Sequence, residues 1–221
     1  FLGNSESVFS NRHFATLIEP WIEVVAVVDT PPAMRTSTNP DRGNGLRSFT
    51  EIARMSGAPV FEPDDPNSAD VIREIRGLNP DILIAVGYVK LLSPSVLDIP
   101  RLVAANFHAS LLPAYRGKHP VFWALRNGER SAGLTVHVMD PHIDTGDILY
   151  QVEVRTRRRD STAALYSRIM DRSVPLVPRL IREAVEGKLL PKKQNIADAS
   201  YFSSTAEDDF RLTWHADGEM L

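Results

Sequence analysis

Three side chains in this sequence could act together on a carbonyl group. Asn106 and His108 lie in Asn106-Phe-His-Ala-Ser-Leu-Leu-Pro-Ala-Tyr-Arg-Gly117, and Asp144 lies in His142-Ile-Asp-Thr-Gly-Asp-Ile148. When a carbonyl is attacked, its oxygen gains negative charge, and a side-chain donor aimed there lowers the barrier by about 2.7–4 kcal/mol. Asn106 offers a neutral donor, and a protonated His108 would offer a charge-assisted one. A carboxylate beside an imidazole favours the charged ring, so Asp144 is expected to keep His108 protonated. The same carboxylate could take the proton lost by a nucleophile.

The elements around these residues must bring them together. Residues 103–108 read as a strand, in which alternation puts Asn106 and His108 on one face. A second strand is expected over 134–140, with Asp144 just past its end. Runs rich in β-branched residues at 22–28, 81–86, 103–107 and 134–139 alternate with helix-compatible stretches. That alternation predicts a mostly parallel, wound, Rossmann-like α/β sheet with ligands at its strand ends. The segment 30–46 has no helical or strand period and is expected to stay mobile until an acceptor binds. The helix over 161–186 should kink or break at Pro175 and Pro178.

Other candidates carry two readings each. Gly3-Asn-Ser-Glu-Ser7 opens a helix, so Asn4 or Ser5 either contacts an anion or caps the helix. Neither a GxGxxG nor a P-loop pattern is present there. Ser110 to Gly117 is a turn-rich loop shaped by Pro113 and Gly117; it serves as a connector or as the cradle of an acceptor. Arg116 and Lys118 after it are either diphosphate ligands or a solvated pair. Arg155 to Asp160 reads as a solvated basic edge. His137 reads as a satisfied structural histidine, and the histidines lack zinc spacing, so no metal is expected.

The run N-x-H-x-S-L-L-P-x-Y-R-G, followed by G-x-T-V-H-x-M-D and I-D-T-G-D-I, resembles the folate-dependent formyltransferases. The resemblance spans roughly residues 1–190 in layout and is densest at 81–149. It implies that Asn106, His108 and Asp144 are catalytic and that 10-formyltetrahydrofolate is the cosubstrate. It also implies a pterin pocket walled by Gly87, Tyr88, Val89 and Leu91 on one side and by Met139, Asp140, His142 and Ile143 on the other. His119-Pro-Val-Phe-Trp-Ala124 is most similar to enzymes that formylate nucleotide-linked amino sugars, with a dTDP sugar as the expected acceptor. On that reading Asn4, Ser5, Ser110, Tyr115, Arg116, Lys118, Trp123, Tyr201 and Phe202 are the acceptor-binding candidates. Glycinamide ribonucleotide formylation is the nearest alternative, followed by methionyl-tRNA formylation and by a folate-binding remnant without turnover.

Bulk properties narrow the field. The chain has 221 residues, 43% hydrophobic and 24% charged, which suits one sizeable core. A net charge of −3 supplies no global attraction to nucleic acid. The absence of cysteine removes thiol nucleophiles, thiolate metal sites and disulfides. With no apolar run near the roughly 18 residues of a membrane span, a cytoplasmic protein without membrane partners is expected. Both ends read as cut, at Phe1-Leu-Gly3 and at the helix entry from Phe210. Residues 1–189 are expected to form the catalytic domain. Residues 190–221 are expected to form a short, truncated appendage that could serve as a homodimer surface.

Overall fold

The computed structural model describes residues 1–35, 47–206 and 209. In chain order its elements begin with β1 (Leu2–Gly3), α1 (Val8–Phe14), β2 (Val27–Asp29), α2 (Phe49–Ser56), β3 (Val60–Phe61), α3 (Ala69–Gly77) and β4 (Ile82–Val86). There follow α4 (Pro94–Leu97), β5 (Val103–His108), β6 (Arg116–Gly117), α5 (Pro120–Arg126), β7 (Ser131–Val138) and β8 (Ile148–Arg155). The last are α6 (Thr162–Ser173), α7 (Leu176–Val185) and β9 (Tyr201–Phe202).

Seven strands form one sheet in the order β3-β2-β1-β4-β5-β7-β8. The pairs from β3 to β5 are parallel, whereas β5–β7 and β7–β8 are antiparallel. The wound, mostly parallel sheet is therefore as the sequence predicts, and the antiparallel edge is a feature it did not predict. Side chains alternate across the sheet. Ile84, Val86, Ala105 and Phe107 enter one core with α1, α6 and α7, while Leu83, Ala85 and Ala104 enter a second with α3 and α4. Asn106 and His108 share the register of Ala104, so they face away from the larger core, toward the strand-end loops.

The helical region after β8 is interrupted once. α6 ends at Ser173 and α7 starts at Leu176, with Pro175 as its N-cap. Pro178 does not break the chain, because it falls in the first turn of α7, where backbone N–H groups have no intrahelical acceptor anyway. Of the expected mobile segment, Pro32–Met34 forms a short 3₁₀ turn and Arg35 pairs with Asp29 and Glu62. Residues 36–46 lie outside the described residues, as does the helix entry expected from Phe210. Among the described residues, no helix is long and apolar enough to cross a membrane.

Beyond Gly187 the chain returns across the strand ends. Lys192 bridges to Ile148, and β9 pairs in parallel with β6 in a separate two-stranded sheet.

Candidate active site

β5 delivers Asn106 and His108, and the loop after β7 delivers Asp144. The antiparallel register also sets His137 of β7 directly opposite Asn106. The β7–β8 register shifts between Val136 and His137. Such an irregularity re-aims a side chain locally.

The four groups form one cluster. Asn106 Nδ2 lies 3.1 Å from His137 Nε2 and 3.4 Å from Asp144 Oδ1. The other Asp144 oxygen accepts the Gly117 N–H at 2.8 Å and lies 3.5 Å from His108 Nδ1. His108 Nε2 is 2.8 Å from the Tyr115 carbonyl, which can only accept, so Nε2 carries hydrogen. By the same reasoning His137 Nδ1 donates to the Val138 carbonyl at 2.8 Å, and its Nε2 faces both Asn106 Nδ2 and, at 3.4 Å, Asp144 Oδ1. His137 was read from the sequence as structural. Its alternation with apolar neighbours was visible there, but its partner across the antiparallel pair was not.

The expected charge on His108 needs correction. Burial is the largest influence and lowers its pKa; Asp144 and the Tyr115 carbonyl raise it, without reversing the direction. The resting imidazole is therefore biased toward neutrality rather than toward imidazolium. For Asp144, burial pushes the pKa up, but His108, His137 and the Gly117 N–H outweigh it and hold the carboxyl at about 2. The His108 contribution scales with its charge, so with a neutral ring the Gly117 N–H is the dependable donor.

The backbone around the cluster is held in unusual conformations. Tyr115, His119 and Asp144 have φ of 61°, 53° and 54°. Non-glycine residues in this region cost of order 1–3 kcal/mol and persist where their surroundings hold them. Glycine is needed at two adjoining positions. A Cβ on Gly117 (φ 98°) would sit 2.3 Å from the Phe202 carbonyl oxygen, and one on Gly146 would sit 1.8 Å from that of Val138.

The expected acceptor residues divide into engaged and accessible groups. The amide and hydroxyl of Ser5 both donate to the Asp29 carboxylate, and the side chain of the buried Asn4 accepts the Glu6 N–H. Ser110 donates to the Ala114 carbonyl. Arg116 is only 3% exposed, and its guanidinium donates to Gln194 Oε1 and to the Tyr201 hydroxyl. Arg116 is thus neither a solvated residue nor an open diphosphate ligand. Lys118 is exposed. Tyr115 stacks on Phe202 with centroids 4.9 Å apart, and Trp123 leans on the same ring at 5.1 Å. Tyr201 beside them is 59% exposed.

On the expected pterin side, Val89, Leu91 and Ile143 are exposed apolar residues at strand ends, and Gly87 and His142 are exposed beside them. Tyr88 is half-buried. A groove of about 560 Å³ lined by Leu97, Val103, Ala104, Val138, Met139 and Asp140 takes in two of the expected pterin residues, Met139 and Asp140, but none of Gly87, Tyr88, Val89, Leu91, His142 or Ile143. It has the size and apolar walls for a flat heterocycle. Asp140 also holds its own loop, accepting from Thr145 Oγ1 at 2.6 Å and from the His142 N–H at 3.0 Å. A second groove, of about 770 Å³, is lined by Arg155, Arg157, Arg158, Arg168 and Arg172 at the far end of the β7–β8 ribbon. None of the clustered residues lines it.

A family model described as formyl transferase matches residues 2–181. The chain belongs to the formyl transferase family. The sequence-level resemblance is thereby borne out, and the protein is a formyl-transferring enzyme. The methionyl-tRNA formyltransferase of Citrifermentans bemidjiense is 34% identical to this formyl transferase over 227 aligned residues, covering 100% of this chain and 68% of that protein. The corresponding enzyme of Clostridium acetobutylicum is also 34% identical, covering 100% and 70%. Among solved structures, an N-formyltransferase from Helicobacter canadensis in complex with folinic acid and dTDP-3-aminofucose superimposes with a TM-score of 0.69 at 19% identity, covering 95% of this chain and 70% of that one. Glycinamide ribonucleotide transformylase 1 from Symbiobacterium toebii gives 0.68 at 23%, covering 88% and 92%. At these identities the two structures establish that the formyl transferase shares their fold.

Proposed function

We propose that this formyl transferase moves the formyl group of 10-formyltetrahydrofolate to the amine of a nucleotide-linked amino sugar, with a dTDP sugar as the first candidate. The reaction is read from the cluster. The attacking amine forms a bond to the formyl carbon, and the carbonyl oxygen becomes an oxyanion. Asn106 can turn its longer hydrogen bond, the 3.4 Å one to Asp144, toward that oxygen while His137 keeps the other. Asp144 takes the proton released by the amine, and His108 Nδ1, 3.5 Å away, can share it. When the C–N bond to the folate nitrogen breaks, the same proton goes to that nitrogen, so the cluster returns to its starting state. His108 thus becomes positive only when negative charge develops nearby, which is differential stabilisation of the transition state.

The choice of acceptor rests on the aromatic group. Tyr115, Phe202 and Trp123 stack beside the cluster, and Tyr201 leaves an exposed ring next to them. Stacking on such a ring contributes about 1–3 kcal/mol for a base. A protein of the same fold holds folinic acid together with dTDP-3-aminofucose, the pair of ligand types this reading requires. Methionyl-tRNA is the second reading, favoured by 34% identity to methionyl-tRNA formyltransferases across the whole chain. Incubation with 10-formyltetrahydrofolate and a panel of dTDP- and UDP-amino sugars, methionyl-tRNA and glycinamide ribonucleotide tests the choice by mass gain of one formyl group. Fastest gain on a nucleotide sugar is expected. Fastest gain on either other acceptor replaces this reading, and gain on none leaves a folate-binding protein without turnover.

A further inference from the structure

We propose that Gln194 is a positioning residue for the catalytic cluster, holding Asp144 in its strained backbone conformation and tying it to the acceptor loop. The inference rests on the formyl-transfer reading and adds to it a residue outside the span of the family match.

Gln194 uses both ends of its side-chain amide. Nε2 donates to the Asp144 carbonyl at 2.9 Å and to the Gly146 carbonyl at 2.7 Å. Oε1 accepts from Arg116 Nε at 3.2 Å and from another guanidinium nitrogen at 2.7 Å. One side chain therefore fastens the Asp144-Thr-Gly146 turn to the Tyr115-Arg-Gly117 peptide. Those two segments supply the groups that set the cluster. The Tyr115 carbonyl fixes which nitrogen of His108 carries hydrogen, and the Gly117 N–H holds the Asp144 carboxylate.

The backbone makes this hold necessary. Asp144 sits at φ 54°, and a rotation there swings its carboxylate away from Gly117 and His108. A displacement of about 1 Å in a catalytic group can cost on the order of a hundredfold in rate. The same stretch of chain braces the loop from its other side. Ser200 accepts the Tyr115 and Arg116 N–H groups through its hydroxyl and carbonyl, and the Phe202 carbonyl accepts the Lys118 N–H. Gln194 is the member of this stretch that touches the Asp144 turn directly.

Two variants separate positioning from simple bracing. Gln194→Met removes all four hydrogen bonds at similar size. Gln194→Glu keeps acceptors for Arg116 but cannot donate to the two carbonyls. Both are expected to lose at least about tenfold in kcat with the KM for 10-formyltetrahydrofolate nearly unchanged. Both should also shift the ring nitrogen and carbon NMR signals of His108 away from a single Nε2–H tautomer. If Gln194→Met does not fold, Gln194→Glu carries the test, since its carboxylate preserves the tie to Arg116. Full kcat in Gln194→Glu, a loss confined to KM, or unchanged His108 signals in the folded variants would overturn the proposal. The NMR result needs no acceptor, so a wild-type protein inactive on every acceptor would defeat the formyl-transfer reading without deciding this one.

Discussion

His13 and His108 are two buried imidazoles with lowered pKa values and different partners. His13 Nδ1 donates to the Phe9 carbonyl at 2.7 Å, and Nε2 lies 2.9 Å from the Ser173 hydroxyl, so both nitrogens are satisfied by neutral groups. Its ring also stands edge-on to Phe9 and Phe107. His108 has one nitrogen satisfied by a carbonyl, and the other faces a carboxylate at 3.5 Å, beyond a good hydrogen bond. Burial lowers the pKa of both, that of His13 to about 4. The difference teaches that depth alone does not mark a functional histidine. What separates His108 from His13 is a nitrogen facing a carboxylate, where a proton can enter without new strain.

The strongest way to break the comparison is to remove that proton position. His108→Asn and Asp144→Asn are each expected to cut turnover by about two orders of magnitude or more while leaving folate binding in place. His13→Gln should instead lower the thermal midpoint and leave kcat unchanged. Steady-state kinetics beside melting curves decide this, and the comparison collapses if His13→Gln matches His108→Asn in turnover.

Acid should next reveal what the two histidines share. Between pH 6.5 and about 4 the unfolded chain protonates its histidines, while the folded chain resists at His13 and, in the same direction, at His108. The unfolded state then binds more protons, so stability is fully present above pH 6.5 and declines as pH falls. For His13 alone the loss by pH 4 is on the order of 3 kcal/mol. Asp144, held at about 2, extends the decline below pH 4. Urea midpoints that stay flat from pH 7 to 4.5 would remove the premise of both environments.

Gly117→Ala is expected to be milder. The added Cβ meets the Phe202 carbonyl, so the peptide must shift and weaken the N–H contact to Asp144. A loss of about tenfold in kcat is expected, with a lower thermal midpoint. The smallest effect is assigned to Tyr201→Ala, whose ring is more than half exposed. It should raise the KM for a nucleotide sugar by about tenfold or less and spare the KM for folate. An equal rise in both would show that the ring supports the fold rather than the acceptor.

Much of this arrangement was legible in the sequence, for local reasons. Alternation along 103–108 put Asn106 and His108 on one face, and Pro175 marked the helix break. What escaped the sequence depended on partners far along the chain. Strand β8 and the antiparallel edge were not read, because periodicity does not say which strands pair, and so His137 lost its place opposite Asn106. Arg116 was open to being either a diphosphate ligand or a solvated residue, since a loop arginine after a turn is usually exposed; Gln194 and Tyr201 cover it from 78 and 85 residues away. The neutral bias of His108 was missed because burial, which decides its sign, is a property of the assembled fold.

The pairing of β6 with β9 has a consequence for the order of events during folding. Its hydrogen bonds close a loop across 85 residues, whereas β4 meets β5 and β7 meets β8 over short stretches. Closing a long loop costs entropy before any contact offsets it, so such contacts form late. A refolding chain should therefore pair β4 with β5 and β7 with β8 first, and complete the Tyr115–Gly117 peptide afterwards, together with the β1–β4 pair of similar separation. The indole N–H of Trp123 reports that last step, because it donates to the Ser203 carbonyl once the returning strand has docked. Recovery of activity should lag behind recovery of the far-ultraviolet circular dichroism signal.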